Sequence, residues 1–548
     1  VTSAAQPRRE ALLVATLTVV LLLPFVGKAF HVDDPLFLWT AKQIRSHPLD
    51  FYGFRVNWYG TEQPMSEVTK NPPLGAFLLA AASAVGGWSE AALHLAFLLP
   101  AVAAALGTLR LARRLSPRPV VATLAAIATP AFVVSATNVM CDVLLVALWV
   151  WAVELWIRGI ETRRGGILFL AVLLVSLAAL TKYFGLALVP LLFVDGLART
   201  RRFGLWAVFL VVPILALASY QIWTRSLYGH GLLSDAASYA SLVRFREGSV
   251  LSAKLLAGLS FAGGCLAPVV FFAPGLWRPR TLAFAVGVAA VVALGVRMML
   301  PAKALGVAGT GSIVQLFLFA LAGVGVAALA ASDAWPRRDA DAILLALWVG
   351  GTLVFAILLN WTVNARSILP AAPAVGILIA RRLEGRAGGV SGRSGFPYAA
   401  LGAAAALCLA VAWADARFAG VARTAARTFS APASGTLWFE GHWGFQHYME
   451  AGGARPLDWR RSRLAPGDRV AVPVDNANVV ALPADAVVHR EIRDFPVLPF
   501  LATLNPRVRA GFYAEEWGPL PFAFGRVPPE RYVLLEVVRE VPPGALVP

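Results

Sequence analysis

Charge is what this chain has least of. Only 14% of its 548 residues are Asp, Glu, Lys or Arg, whereas soluble domains carry about a quarter. Cysteine is scarce too. Cys141, Cys265 and Cys408 all lie in apolar runs, which leaves no disulfide framework and no zinc-ligand spacing. Lysine occurs six times, at 28, 42, 70, 182, 254 and 303. No internal repeat is found, and symmetric transporter folds usually show one. What the chain has instead is apolar sequence: 58% hydrophobic residues and a mean hydropathy of +0.68. Runs of about twenty apolar residues recur, each long enough for a ~30 Å hydrocarbon core. The chain reads as a polytopic α-helical membrane protein.

The net charge of +17 does not point to nucleic acid. The arginines cluster in short connectors between apolar runs, as the positive-inside rule expects, with no basic stripe interleaved with aromatics. Membrane lipids are the expected surroundings. The first run follows Arg8 and Arg9 with no small-residue cleavage site after it, so it reads as an uncleaved span.

Each pair of Arg-rich connectors should be separated by an even number of crossings. Three apolar segments lie between Arg9 and Arg110, so one cannot cross. The weakest is "PPLGAFLLAAASAVGG", 72–87, whose roughly sixteen residues reach only about 24 Å as a helix; it is expected to lie on or dip into the outer face. The remaining segments give about thirteen crossings: 11–27, 91–109, 119–137, 139–157, 165–181, 183–198, 203–222, 250–273, 281–299, 312–331, 342–360, 367–380 and 397–413. The N-terminus is then cytoplasmic and a long first loop, 27–90, lies outside. Residues 1–413 form the membrane domain and 414–548 a small extracytoplasmic α/β domain. In that tail, "TLWFEG", "DRVAVPV" and "RYVLLEVV" have strand length and pattern, and "HWGFQHYMEAGG" reads as a short helix closed by Gly452. His442 and His447 lack a third ligand in sequence and read as surface histidines; "GHWG" carries no cofactor signal.

Candidate chemistry gathers at the outer face. Asp33 and Asp34 follow the first span at once, where adjacent anions repel. Asp followed by Pro is a good helix start, which accounts for Asp34 but not for a second carboxylate beside it. One of the pair is therefore available as a general base toward an acceptor hydroxyl. Lys70, at the mouth of the short helix, suits a phosphate oxygen or snorkels to the interface. Lys182 interrupts a long, nearly uncharged stretch, and an intramembrane charge is a functional candidate. Asn138 and Asp142 lie one helical turn apart where one span returns as the next. An unpaired Asp142 would be costly there, and Lys182 is its expected partner. Arg244, Arg246 and Arg366 sit in outer loops, and Tyr59 belongs to a set of first-loop aromatics.

In this order, the acidic pair, the "TKNPP" segment, the Asp opening the fourth span, "TKYFG" and a basic residue before "LPAAP" resemble the GT-C glycosyltransferases that use polyprenyl-phosphate sugars. The relevant branch holds the lipid A aminoarabinose transferase, the Rgt-type galacturonosyl transferases and, more distantly, the protein O-mannosyltransferases. The resemblance covers roughly residues 10–380 and implies a GT-C-like bundle, thirteen spans being usual there. It implies Asp33 as the catalytic carboxylate, with Asp34 where Glu often stands, and Asp142 as the second active-site acid. Lys70, Lys182, Arg244 and Arg366 would bind the donor phosphate, and Asn138 and Tyr59 would contact substrate. Asn71 separates Lys70 from Pro72, where many members have Lys directly before Pro, which shifts the ammonium. The implied reaction is inverting displacement on a polyprenyl-phosphate sugar by a lipid, glycan or protein hydroxyl, with no cofactor or metal required. A transporter or flippase for a lipid-linked substrate is the alternative; it would spread charge through the midplane.

Overall fold

A computed structural model describes residues 5–246, 251–299, 309–385, 395–430 and 435–546. Every one of the thirteen expected segments falls on one helix or on two or three consecutive ones. Among the described residues, eight helices are long and apolar enough to cross a membrane, and ten if each of two bent pairs is one span. The chain is an integral membrane protein. The other expected spans fall short for simple reasons. Ala5–Leu22 carries Arg8, Arg9 and Glu10, Gly165–Thr181 has 17 residues, and Ala372–Glu384 has 13.

Two expected straight spans are bent. The first breaks between Ile127 and Pro130 by 63°, the second between Cys265 and Pro268 by 83°. In each the second helix opens on a proline, which has no N–H to give and disfavours a helical residue before it. Thr129 supplies the restart: its Oγ1 accepts from the Phe132 N–H at 3.2 Å, the usual N-cap bond. The last helix differs from expectation at its end. It runs Phe396–Phe429, because the Ala- and Arg-rich stretch after 413 loses hydropathy without losing helix propensity.

The first long loop is structured. It contains the helix Asp34–Ser46, a hairpin pairing Arg55–Asn57 with Glu62–Pro64, and the short apolar helix Leu74–Gly86. The tail domain has a five-stranded sheet in the order 455–456, 437–439, 469–473, 530–537, 487–495. The first three strands are parallel and the last two pairings antiparallel. Alternate residues face two cores. Ala471 and Leu534 pack with Phe445, Met449 and the end of the last long helix at Phe429; Val470 and Leu535 pack with Leu464 and Trp459. The helix Trp443–Ala451 ends at Gly452 as expected.

The tail domain is docked on the first loop and the bundle. Leu501, Phe512, Tyr513 and Phe522 belong to the same buried cluster as the membrane helices. Backbone and side-chain bonds stitch the loop to the domain: Trp459 N–H to Gly60 O at 2.9 Å, Asn57 Nδ2 to Leu457 O at 3.0 Å, and Phe30 N–H to Tyr448 Oη at 2.8 Å. Gly444 permits the closest approach, since a Cβ there would lie 2.1 Å from Phe30 O.

Candidate active site

A cavity of about 560 Å³ opens between the first long loop, the adjoining helix ends and the tail domain. Asp33, Lys70, Asp142, Lys182, Arg366 and Tyr59 all line it. Five segments widely spaced in sequence thus deliver two carboxylates and three cations to one space.

Each is delivered by a break in regular structure. Val32 has φ +43°, a left-handed conformation that is costly for a β-branched residue, and it too lines the cavity. The next two residues then diverge. Asp33 turns into the cavity with its side chain 27% exposed. Asp34 is buried, and its oxygens accept from the His31 and Val139 N–H groups at 2.8 and 3.0 Å. Burial pushes the Asp34 carboxyl up to about 7, against the pull of Lys28 and those N–H groups. One member of the pair faces the cavity and the other is buried, but neither side chain caps the helix: Asp34 ties the loop to Val139, between Pro130–Ala136 and Asp142–Thr162, and does not line the cavity. Asp33 stands at the helix start yet makes no capping bond.

Lys182 follows the end of Gly165–Thr181 in extended conformation, before a 3-10 turn at Tyr183–Ala187. Gly185 allows that turn, because a Cβ would meet the Ala178 carbonyl carbon at 2.4 Å. Lys182 Nζ lies 2.7 Å from Asp142 Oδ1, the partner expected for it. Asp142 is 2% exposed and opens its own helix, where the N-terminal dipole favours an anion. Arg366 sits in a one-turn helix whose cap is Asn364, its Oδ1 accepting from Ser367 N–H at 2.9 Å. Arg366 Nη1 lies 2.7 Å from Asp33 Oδ2. Lys70 donates to Glu67 O at 2.5 Å and stands 5.0 Å above the Tyr239 ring; burial holds its ammonium below the ordinary lysine range. The Tyr52 hydroxyl fixes that turn by donating to Asn71 O at 2.8 Å.

Two expectations end elsewhere and a third is untested. Asn138 does not line the cavity; it accepts from Lys28 Nζ at 2.5 Å and donates to Tyr513 Oη at 3.0 Å. The side chains of Arg244 and Arg246 lie outside the described residues. His442 is not on the surface: it is 4% exposed, with Nδ1 2.9 Å from Gln446 Oε1. Sequence reasoning also missed the tail domain's share of the cavity. Trp443, Asn478, Tyr513 and Trp517 line it, and Trp443, at φ +63°, packs edge-on against Trp517 at 5.2 Å. The available signal was "GHWG", whose second glycine permits the contact with Phe30.

Residues 70–223 match the family described as dolichyl-phosphate-mannose-protein mannosyltransferase. That segment holds Lys70, Asp142 and Lys182. The resemblance is to the GT-C glycosyltransferases. No curated protein matches the chain. Among solved structures, the Archaeoglobus fulgidus oligosaccharyltransferase tethered with an acceptor peptide is similar at 13% identity and TM-score 0.46, over 83% of this chain. The chain spans 64% of that protein's length. ArnT from Cupriavidus metallidurans, solved bound to undecaprenyl phosphate, is similar at 16% identity and TM-score 0.40, over 85% of this chain and 93% of ArnT.

Proposed function

We propose that the chain is a membrane glycosyltransferase that moves a sugar from a polyprenyl-phosphate donor to a hydroxyl of a lipid, glycan or protein at the extracytoplasmic face. The observation that carries this reading is the convergence of Asp33, Asp142, Lys70, Lys182 and Arg366 on one cavity at the outer helix ends. A midplane path through the bundle, as a transporter needs, would place them otherwise.

The donor phosphate sits among Lys70, Lys182 and Arg366, where preorganised cations stabilise charge that grows as the phosphate leaves. Arg366 and Lys182 each already hold a carboxylate, so their positions are set before substrate arrives. Asp33 is the more exposed carboxylate and serves as the base; Asp142, almost wholly buried, orients Lys182. The acceptor O–H proton passes to Asp33, the acceptor oxygen bonds to the anomeric carbon, and the carbon–oxygen bond to the lipid phosphate breaks on the opposite face. The configuration inverts. Phosphate is a good leaving group, so the reaction does not depend on a metal.

The test uses membranes containing wild-type or Asp33→Asn protein, incubated with radiolabelled polyprenyl-phosphate sugars and fractionated into lipid and protein. Label should reach one fraction with wild type and fall by roughly 10²-fold or more with the variant, the usual contribution of a positioned base. Equal transfer by both would refute the base assignment. No transfer from any such donor would refute the reaction.

A further inference from the structure

Behind the cavity lies a buried polar network that the reaction described above does not use; His31 Nε2 borders it, 3.7 Å from Asp415 Oδ1 and with no hydrogen-bond partner among the described residues. Lys28, in the loop that follows Ala5–Leu22, and Asp415, inside Phe396–Phe429, form an ion pair with Nζ 2.5 Å from Oδ2 and both side chains 0% exposed. The ammonium's other donors go to Asn138 Oδ1 at 2.5 Å and Thr137 Oγ1 at 3.4 Å. Asp415 accepts from Thr503 Oγ1 at 2.8 Å and from the Tyr513 hydroxyl at 2.9 Å, both in the tail domain. Asn138 Nδ2 completes the ring by donating to Tyr513 Oη at 3.0 Å.

A buried ion pair adds little net stability compared with apolar residues of the same volume, whereas losing one partner is costly. What a fully bonded network does provide is one fixed geometry. Here the fixed object is Tyr513. Its hydroxyl is held from two sides, and its ring faces the cavity with the Arg366 guanidinium carbon 5.7 Å from the centroid. The neighbouring backbone is tied to the same place, since Phe512 O accepts from Ala365 N–H at 2.9 Å. Arg366 Nη1 meets Asp33 Oδ2 at 2.7 Å. A continuous chain therefore runs from Lys28 through Asp415 and Tyr513 to Arg366 and Asp33.

We propose that Tyr513 is a positioning residue for the transfer reaction: held by the Lys28–Asp415 pair, its ring orients Arg366 toward the phosphate of the polyprenyl donor. The tail domain thereby completes the phosphate site. The inference rests on the function proposed above.

The experiment measures binding of undecaprenyl phosphate to the full-length protein in detergent, for wild type, Tyr513→Phe, Tyr513→Leu, Arg366→Ala and the double variant Lys28→Met with Asp415→Leu, with melting temperature recorded for each. Tyr513→Leu should raise Kd by about tenfold, the worth of a desolvated cation–π contact. Tyr513→Phe, which keeps the ring but loses both bonds that hold it, should fall between wild type and Tyr513→Leu. The double variant should fall between wild type and Tyr513→Phe, because it removes the Asp415 acceptor while Asn138 still donates to the hydroxyl. Binding by Tyr513→Leu within twofold of wild type, while Arg366→Ala is weakened, overturns the proposal, as does equal loss in the Phe and Leu variants. If the double variant does not fold, the Phe and Leu pair still decides. Wild type that fails to bind undecaprenyl phosphate overturns this proposal for that lipid; the reaction itself stands or falls on the transfer assay.

Discussion

Arg366 Nη1 and Asp33 Oδ2 are 2.7 Å apart although 333 residues separate them. The guanidinium also touches Met140 Sδ at 3.0 Å and faces the Tyr513 ring. Three neighbours of different chemistry set a planar group, and a lysine ammonium cannot satisfy all three. Arg366→Lys is therefore expected to keep the positive charge and still lose about 10²-fold in initial transfer rate, comparable to loss of one preorganised donor. A rate within threefold of wild type would show that the charge alone suffices.

Asp33 and Asp34 are adjacent in sequence and opposite in role. Asp33→Asn should lower transfer by about 10²-fold or more and change the melting temperature little, because the side chain is partly exposed and the amide oxygen can still accept from Arg366. Asp34→Asn should do the reverse. It places an amide donor against one of two N–H groups that the carboxylate now satisfies, at a cost of roughly 1–3 kcal/mol, while folded protein stays active. Transfer rate and thermal unfolding measured on the same preparations separate the two. Loss of activity in correctly folded Asp34→Asn protein would bring Asp34 back into the reacting set.

The membrane helices were legible because twenty-residue apolar runs have no other physical use, and Asp142 and Lys182 because an unpaired charge in such a run is too costly to leave alone. Which of two neighbouring carboxylates turns inward could not be read, since that depends on the left-handed turn at Val32 and on an N–H at Val139, 105 residues away. Asp415 escaped notice because the run around it had already lost its hydropathy, and Lys28 because it stands at the edge of a span where a snorkelling lysine is ordinary. The strand Val487–Phe495 was invisible as well; most of its positions are exposed, so no apolar alternation marks it.

The Asp142–Lys182 pair predicts an asymmetric mutational pattern. Asp142 is almost wholly buried and Lys182 is 19% exposed. Asp142→Ala should destabilise the protein by about 3–5 kcal/mol, the cost of stranding a buried charge. Adding Lys182→Met should recover part of that loss without restoring transfer. The double variant's unfolding curve and its transfer rate check the two halves independently. A double variant no more stable than Asp142→Ala alone would mean that the stranded lysine finds water easily.

Gly444 offers a test of how tightly the tail domain controls the site. A methyl group there would sit 2.1 Å from the Phe30 carbonyl oxygen, three residues before Asp33, and backbone on both sides leaves little room to yield. Gly444→Ala is expected to cost about 1–3 kcal/mol by overpacking and to lower transfer by displacing the loop that carries Asp33. Gly420→Ala, on the last long helix with nothing within 4 Å of its new Cβ, should be silent in both measurements. Full activity in Gly444→Ala would separate the domain contact from the chemistry.

Glu440 makes stability of the tail domain depend on pH. It is buried, Oε2 accepts from the Val480 N–H at 3.2 Å, and Oε1 has no partner among the described residues. Burial raises its carboxyl from 4.5 to about 8, so the folded domain holds a proton that the unfolded chain releases above its ordinary value. The stabilisation is complete below about pH 4.5 and is lost as pH rises through about 8. Glu530, also raised to about 8 by burial, acts in the same direction, whereas His442, lowered to about 4, favours the fold only once pH is high enough to keep its ring neutral. Between pH 6.5 and 8.5 the two glutamates dominate, and the melting temperature should fall across that window. Glu440→Gln should flatten the fall by removing one of the two ionisations, leaving the variant more stable than wild type at pH 8.5. Parallel melting curves for the two proteins from pH 6.5 to 8.5 would mean that Glu440 is ionised in the fold, and that water or a neighbouring donor satisfies its second oxygen.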